Sequence, residues 1–326
     1  MYDRNTAYVP AESGAPSLTS GPKRVFFDRV EWHVIPDAAT ASSALQRGEV
    51  DWYEQPTPEQ VTLLRRKPSV AVEKTSPFAS CGFMRFNFLH PPFNNKAVRR
   101  SLLPAIEQAD FMTAVNGTEE GAWQEAGIFT PGSTMATSAG LDALRGPRSV
   151  ERAATLLRQS GYHNETMRLI GPTDMMVPSS LTQVGADLFR RMGFNLDFAA
   201  SDQGTVLQRR ASREAVERGG WSVYLTNFPG VDFLDPGSHP ALVGNGTGPG
   251  SYSGWPTIPR LETLRDAYFE ATDEDARKAV CDDLQRTVVD EVAFIPLGAF
   301  TQYTALRQTI RDRLPGNVVF WNLKRG

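Results

Sequence analysis

The sequence predicts an α/β protein. Between residues 149 and 228, short strand-like runs alternate with amphipathic helical stripes, the pattern that gives crossover connections and a largely parallel sheet. The chain has 326 residues, enough for about two domains. Its composition, 40% hydrophobic and 22% charged, is that of an ordinary globular chain and excludes collagen-like, disordered and disulfide-framework classes.

Residues 3–23 are polar and rich in Ser, Gly and Pro, and read as a loop. Over 24–36, Val30, Trp32 and Val34 alternate with Arg29, Glu31 and His33, which predicts a half-buried strand ended by Pro36. Asp37 is placed to cap a helix carrying Ala38, Ala39, Ala44 and Leu45, and Gly48 to close it in the left-handed conformation. Residues 49–51 form a short extended piece, and Thr57-Pro58-Glu59-Gln60 is a capping box that opens a helix over 58–66.

Residues 70–89 read as strands, with Phe83, Met84, Phe86 and Phe88 in a β-rich run, followed by a turn at Pro91–Asn95. Val98, Leu102, Ala105 and Ile106 share one helical face, interrupted by Pro104. Residues 116–147 are rich in Gly, Pro, Ser and Thr and form a long irregular connection. Ser149 starts a helix with Val150, Ala153, Ala154 and Leu157 inward, ended near Gly161.

The alternation follows: strand 167–170, helix 178–192 stopped by Gly193, strand 194–198, charged helix 203–218 and strand 221–228. A long Gly-, Pro- and Ser-rich loop spans 229–259, and loops of that length inside compact domains are usually functional. Helix 259–272 comes next, then a capping box at Thr272–Asp275 opening a helix with Ala276, Val280, Leu284 and Val288 inward. Residues 292–297, 300–306 and 318–323 are strand candidates, and there is no internal repeat.

Several chemistries are excluded or left without support. The balance of 34 basic and 37 acidic residues argues against a dedicated nucleic-acid binder. No segment has the roughly 18 uncharged apolar residues of a membrane-spanning helix. No Ser stands in Gly-x-Ser-x-Gly. His33, His90, His163 and His239 are scattered and Cys81 and Cys281 isolated, so no metal-ligand spacing and no metal site is expected. The two cysteines could pair or remain as buried thiols. Gly244–Gly250 lacks the Lys-Ser/Thr of a phosphate-binding loop and reads as a flexible loop, so no cofactor is expected. The first residues show no secretory signal.

One place has the makings of a site. Asp232 and Asp235 follow the predicted strand 221–228, and ligands of open α/β sheets collect at the carboxyl ends of strands. A carboxylate there, beside Gly230, suits a ligand ammonium; alternatively Asp235 caps a turn and Asp232 is solvated.

The ordered motifs resemble the extracellular solute-binding proteins of ABC importers in the dipeptide/oligopeptide class, family 5. Tyr2–Pro10 is similar to the family's Arg-Asn-Pro-x-Tyr segment, with Thr6 in place of Pro. Ile35–Thr40, Ala44-Leu45 and Gly48–Asp51 resemble its most recognisable stretch, and Phe86-Asn87, Pro92-Phe93 and Val98–Arg100 its Phe-Asn, Pro-Phe and Val-Arg segment. Leu156-Leu157, Ser160–Tyr162, Gly220-Trp221, Asp235-Pro236 and Pro296-Leu297 follow in family order.

The resemblance implies a two-lobe periplasmic-binding-protein fold of the peptide-binding class, with lobe I incomplete. Residues 1–79 would be partial lobe I, 80–296 lobe II and 297–326 the return to lobe I. It implies a binding protein, not an enzyme, that is periplasmic and delivers a peptide or other small amine-bearing solute to membrane permease subunits. Asp232 stands where peptide-binding members hold the ligand amino terminus. Gly230, Asn227 and Phe228 flank it, Phe228 as a stacking wall or a core residue. Dipeptide binders also place an Arg for the ligand carboxylate in the loop after the strand matching 167–171; here 171–178 has no Arg and carries Asp174. The ligand is therefore expected to be cationic, blocked, longer or not a peptide. Trp321 is expected in the core of lobe I or facing the hinge. The other expectation is a non-binding remnant or scaffold needing a separate N-terminal fragment, because the family's leader and first lobe I strands have no counterpart here.

Overall fold

The computed structural model describes residues 1–326, which divide into two compact units: 1–77 with 301–326, and 78–300.

The first unit opens with two short paired strands, β1 (Tyr2–Asp3) and β2 (Arg29–Val30). The strand expected over 24–36 shrinks to those two residues of β2. Trp32 is 49% and Val34 86% exposed, and β1, the strand paired with β2, is itself two residues long, so the alternation extends no further. Helix α1 (Ala38–Arg47) forms as its caps predict: Asp37 accepts from the Thr40 amide, and Gly48 closes the helix at φ 77°. β3 (Trp52–Tyr53), α2 (Pro58–Leu64), whose Thr57 cap accepts from the Gln60 amide, and β4 (Val70–Lys74) complete this stretch.

The second unit begins with β5 (Ser80–Phe86), buried at every position. Pro104 splits the next helical face into α3 (Lys96–Ser101) and a single 3₁₀ turn at Leu103–Ala105, because its ring removes a helical donor. Then come α4 (Gln108–Asn116), β6 (Trp123–Gln124), α5 (Val150–Gln159), β7 (Met167–Pro172), α6 (Met176–Met192), β8 (Leu196–Ser201), α7 (Gln203–Arg210) and β9 (Val223–Phe228). The charged helix expected to reach 218 stops at Arg210; only Val206 of α7 is buried, so one apolar contact supports a short helix. After the long loop, α8 (Pro259–Glu270), α9 (Glu274–Glu291) and β10 (Phe294–Phe300) follow. The cap of α9 is Asp273 rather than Thr272, its carboxylate accepting from the Ala276 amide.

The six strands of this unit run in the order β6-β10-β5-β9-β7-β8. β7 is parallel to β8 and β9, while β5, β6 and β10 form the antiparallel part. One core gathers Met84, Phe86, Leu169, Leu181, Phe189 and Leu225 beneath α3–α6. A second joins Cys81, Phe83, Phe233, Leu284 and Phe294 beneath α8 and α9. Both cysteines are buried free thiols.

The chain re-enters the first unit as β11 (Tyr303–Arg307), which lies between β3 and β4. β12 (Ile310–Arg311) pairs with β13 (Lys324–Arg325), and the strand expected over 318–323 does not form. The boundary expected after residue 296 falls inside β10; that strand is hydrogen-bonded to β5 up to Phe300, so the change of unit comes at 300/301. Trp321 is half-buried, with the Lys23 ammonium 4.9 Å from its ring centre.

Candidate ligand-binding site

The register brings the carboxyl ends of β7, β8 and β9 and the amino end of β5 to one end of the second unit's sheet. Phe228 pairs with Cys81, and Pro172 with Ser201. The long loop leaves β9 at this end, where Gly230–Phe233 form one 3₁₀ turn.

Asp232 sits on that turn, half-buried, and its carboxylate has no hydrogen-bond or ion-pair partner. Burial pushes its carboxyl above the usual carboxylate range. A charge so placed gains by meeting a cation.

The turn is held from below. Thr130, wholly buried, donates its hydroxyl to the Gly230 carbonyl at 2.7 Å and its amide to the Phe233 carbonyl at 3.0 Å. A Cβ on Gly230 would run into the Ala79 carbonyl oxygen, so only glycine lets the turn lie this close to the start of β5. Phe233 stacks on His239 with centroids 4.0 Å apart and planes within 1°. His239 is buried, bonds the Ile128 carbonyl through Nε2 at 2.8 Å, and is pushed down to about 3 by burial, so it is neutral.

Two buried glutamines fix the segment that carries Thr130. Gln108 Oε1 accepts from the Ala126 amide while Nε2 donates to the carbonyls of Ala126 and Pro296. Gln285 Oε1 accepts from the Ile128 amide while Nε2 donates to the carbonyls of Thr137 and Ala139. The irregular connection is thus pinned at short intervals, and a fully satisfied buried polar network is rigid.

Of the site residues read from sequence, Asn227, Phe228, Gly230 and Asp232 fall within six residues spanning the end of β9 and its turn. Asn227 and Phe228 are half-buried, and the Phe228 ring lies 5.9 Å from Phe233 and 6.2 Å from Tyr252. Asp174 lies two residues past β7, on the neighbouring strand end, where it accepts from the Gln203 amide at 2.8 Å. Asp235 serves as a turn cap for the amides of Gly237 and Ser238. Thr130, His239, Gln108 and Gln285 escaped the sequence reading: they carry no motif, and their partners lie far along the chain.

The model of the bacterial extracellular solute-binding proteins, family 5 (middle region), matches residues 1–250, and the chain belongs to that family. It is similar to a probable peptide ABC transporter periplasmic-binding protein of Sinorhizobium fredii, 28% identical over 99% of this chain and 61% of that protein. A probable di/tripeptide-binding protein of Pseudomonas aeruginosa is 25% identical over 87% of this chain and 52% of its own length. The chain therefore spans a little over half the length of the curated relatives it matches.

Among solved structures, a dipeptide-binding protein of Pseudoalteromonas in complex with Met-Leu has a TM-score of 0.73 at 19% identity, over 90% of this chain and 57% of that one. The Helicobacter pylori DppA in complex with the peptide STSA has a TM-score of 0.72 at 18% identity, over 89% and 56%. The fold is that of these two-lobe peptide-binding proteins, in part. The family is one of extracellular binding proteins rather than enzymes. No helix is long and apolar enough to cross a membrane.

Proposed function

We propose that this chain is the solute-binding component of an ABC importer, acting outside the cytoplasmic membrane. On this reading the second unit is lobe II, and Asp232 takes the ammonium group of a peptide or other small amine-bearing solute. The solute then passes to the permease subunits. The reading rests on one observation above all: a half-buried carboxylate without a partner, on a clamped turn at the carboxyl ends of the strands. Gly230 and Asn227 shape the backbone beside it, Phe228 offers a ring face, and Asp174 adds negative charge from the adjacent strand.

A ligand that binds only the native chain raises its melting temperature. Amine-bearing peptides, polyamines and opines are expected to include one that does so. Failure of the whole set would refute the reading.

The exposed apolar side chains of the first unit, Trp32 and Val34 with Val9 at 82%, favour one addition: a further polypeptide segment covers them. Light scattering on the isolated chain is then expected to show self-association. A compact monomer would count against this addition.

A further inference from the structure

A ring wall links the Asp232 turn to an unpaired cation. Arg210, in the last turn of α7, is half-buried and forms no hydrogen bond or ion pair. Its guanidinium lies 5.4 Å from the Tyr224 ring centre and 5.6 Å from that of Tyr252. Tyr252 stands edge-on to Phe228, with centroids 6.2 Å apart. Tyr224 and Phe228, four residues apart on β9, share one face of the strand. Rings thus run from Arg210 through Tyr252 and Phe228 to Phe233, the neighbour of Asp232.

The groups around Arg210 suit an anion. A second guanidinium, that of the wholly buried Arg85, lies 5.5 Å from the same Tyr252 ring centre. Arg85 donates through Nε to the Ser253 carbonyl and through Nη1 to the carbonyls of Ala241 and Ala293. Its Nη2, on the edge shared with Nε, has no partner, and neither has the buried Tyr252 hydroxyl. No carboxylate pairs with either arginine. Stacking occupies the face of a guanidinium and leaves its in-plane N–H donors free, and their fork matches the two oxygens of a carboxylate. Two cations sharing one ring repel each other, and an anion beside them offsets that repulsion.

We infer that a carboxylate of the solute docks on Arg210, so that the solute is a zwitterion. Its amine meets Asp232, its apolar part lies along Phe228, and its anionic end lies between α7 and Tyr252. The arginine missing from 171–178 is thus supplied by a different element, and the solute need be neither purely cationic nor blocked. This rests on the proposal that Asp232 binds the amine.

Titration calorimetry of the full chain tests it, with di-, tri- and tetra-alanine as free acids and as amides, and with Ala-Glu amide, whose carboxylate is on the side chain. At least one carboxylate-bearing probe is expected to bind tenfold or more tightly than the alanine amide of its length, as a charge-assisted pair provides. That advantage is expected to vanish in Arg210→Gln, while the alanine amides bind both proteins equally and so report that the variant is folded. An advantage of the free acids assigns the contact to the terminal carboxylate, and one of Ala-Glu amide to a side-chain carboxylate; both support the inference. Carboxylate-bearing probes that gain nothing over the amides, or an advantage that survives Arg210→Gln, overturn this inference and leave the amine reading standing. An N-acetylated acid that binds as tightly as its free-amine parent, and loses that binding in Arg210→Gln, overturns the amine reading and keeps the carboxylate contact. Absence of binding by every probe up to millimolar concentration overturns both.

Discussion

Thr130 and Gly230, a hundred residues apart, are joined by a 2.7 Å hydrogen bond from the threonine hydroxyl to the glycine carbonyl. With the Thr130 amide on Phe233, one buried residue holds both ends of the turn that presents Asp232. Removing that hydroxyl leaves a buried carbonyl unpaired, which costs roughly 1–3 kcal/mol. Thr130→Val is expected to lower the unfolding free energy by about that amount and to speed hydrogen exchange of the 230–233 amides. Thr130→Ser keeps both donors and should retain the native exchange rates. Urea titration with exchange mass spectrometry distinguishes these outcomes.

Gly230 is the other half of that contact. Gly230→Ala sets a methyl group against the Ala79 carbonyl and the Phe78 and Thr130 side chains. Backbone has little room to yield, so a loss of roughly 1–3 kcal/mol is expected. Circular dichroism melts of the variant measure it.

His239 makes stability depend on pH. Its folded value lies near 3, below the ordinary 6.5, because burial disfavours the imidazolium. Below pH 6.5 the unfolded chain takes up a proton that the native chain refuses. The stability from the neutral buried ring is therefore full above pH 6.5 and lost as pH falls toward 3, by at most about 1.4 kcal/mol per pH unit. His239→Gln should flatten that part of the stability–pH curve, read by denaturant melts at several pH values.

Asp232 works in the opposite sense. Its carboxyl is raised, so the native chain keeps a proton at pH values where the unfolded chain has lost one. The unliganded protein thus becomes less stable as pH rises from the ordinary carboxylate value through the raised one. On the proposed function, amine affinity is expected to rise over the same interval, because only the carboxylate pairs with an ammonium. Calorimetric titrations across pH 4–7 are expected to show affinity increasing toward neutrality.

Arg85 is a buried cation held by three main-chain carbonyls and lying 5.5 Å from the Tyr252 ring centre. It ties the long loop and the turn before β10 to β5. Arg85→Met is expected to cost roughly 3–5 kcal/mol, since all three carbonyls lose their donor. Equilibrium unfolding in urea checks this.

Much of this organisation was legible in the residues. The caps at Asp37, Thr57 and Ser149 place their helices where the structure has them, because capping is a local interaction between neighbours in sequence. The β7-α6-β8-α7-β9 succession was readable for the same reason. Asp232 enters as the site candidate, over Asp235, only through the family resemblance, three residues before Asp235-Pro236. The clamp beneath it could not be read: Thr130, His239, Gln108 and Gln285 act through partners up to 188 residues away, and no local spacing encodes that. The stretch 24–36 shows the converse error, where alternation supplies a strand pattern but the only paired strand, β1, is two residues long and completes just Arg29–Val30.

The central claim is that Asp232 recognises an amine. A charge-assisted hydrogen bond contributes roughly 1.5–3 kcal/mol, so its loss weakens binding roughly 10- to 100-fold. The direct test compares the wild-type chain and Asp232→Asn by calorimetry, using the amine that most raises the wild-type melting temperature. A loss of that size, with the melting temperature of the unliganded variant unchanged or raised, is the predicted result. Equal affinity in the two proteins would contradict the account.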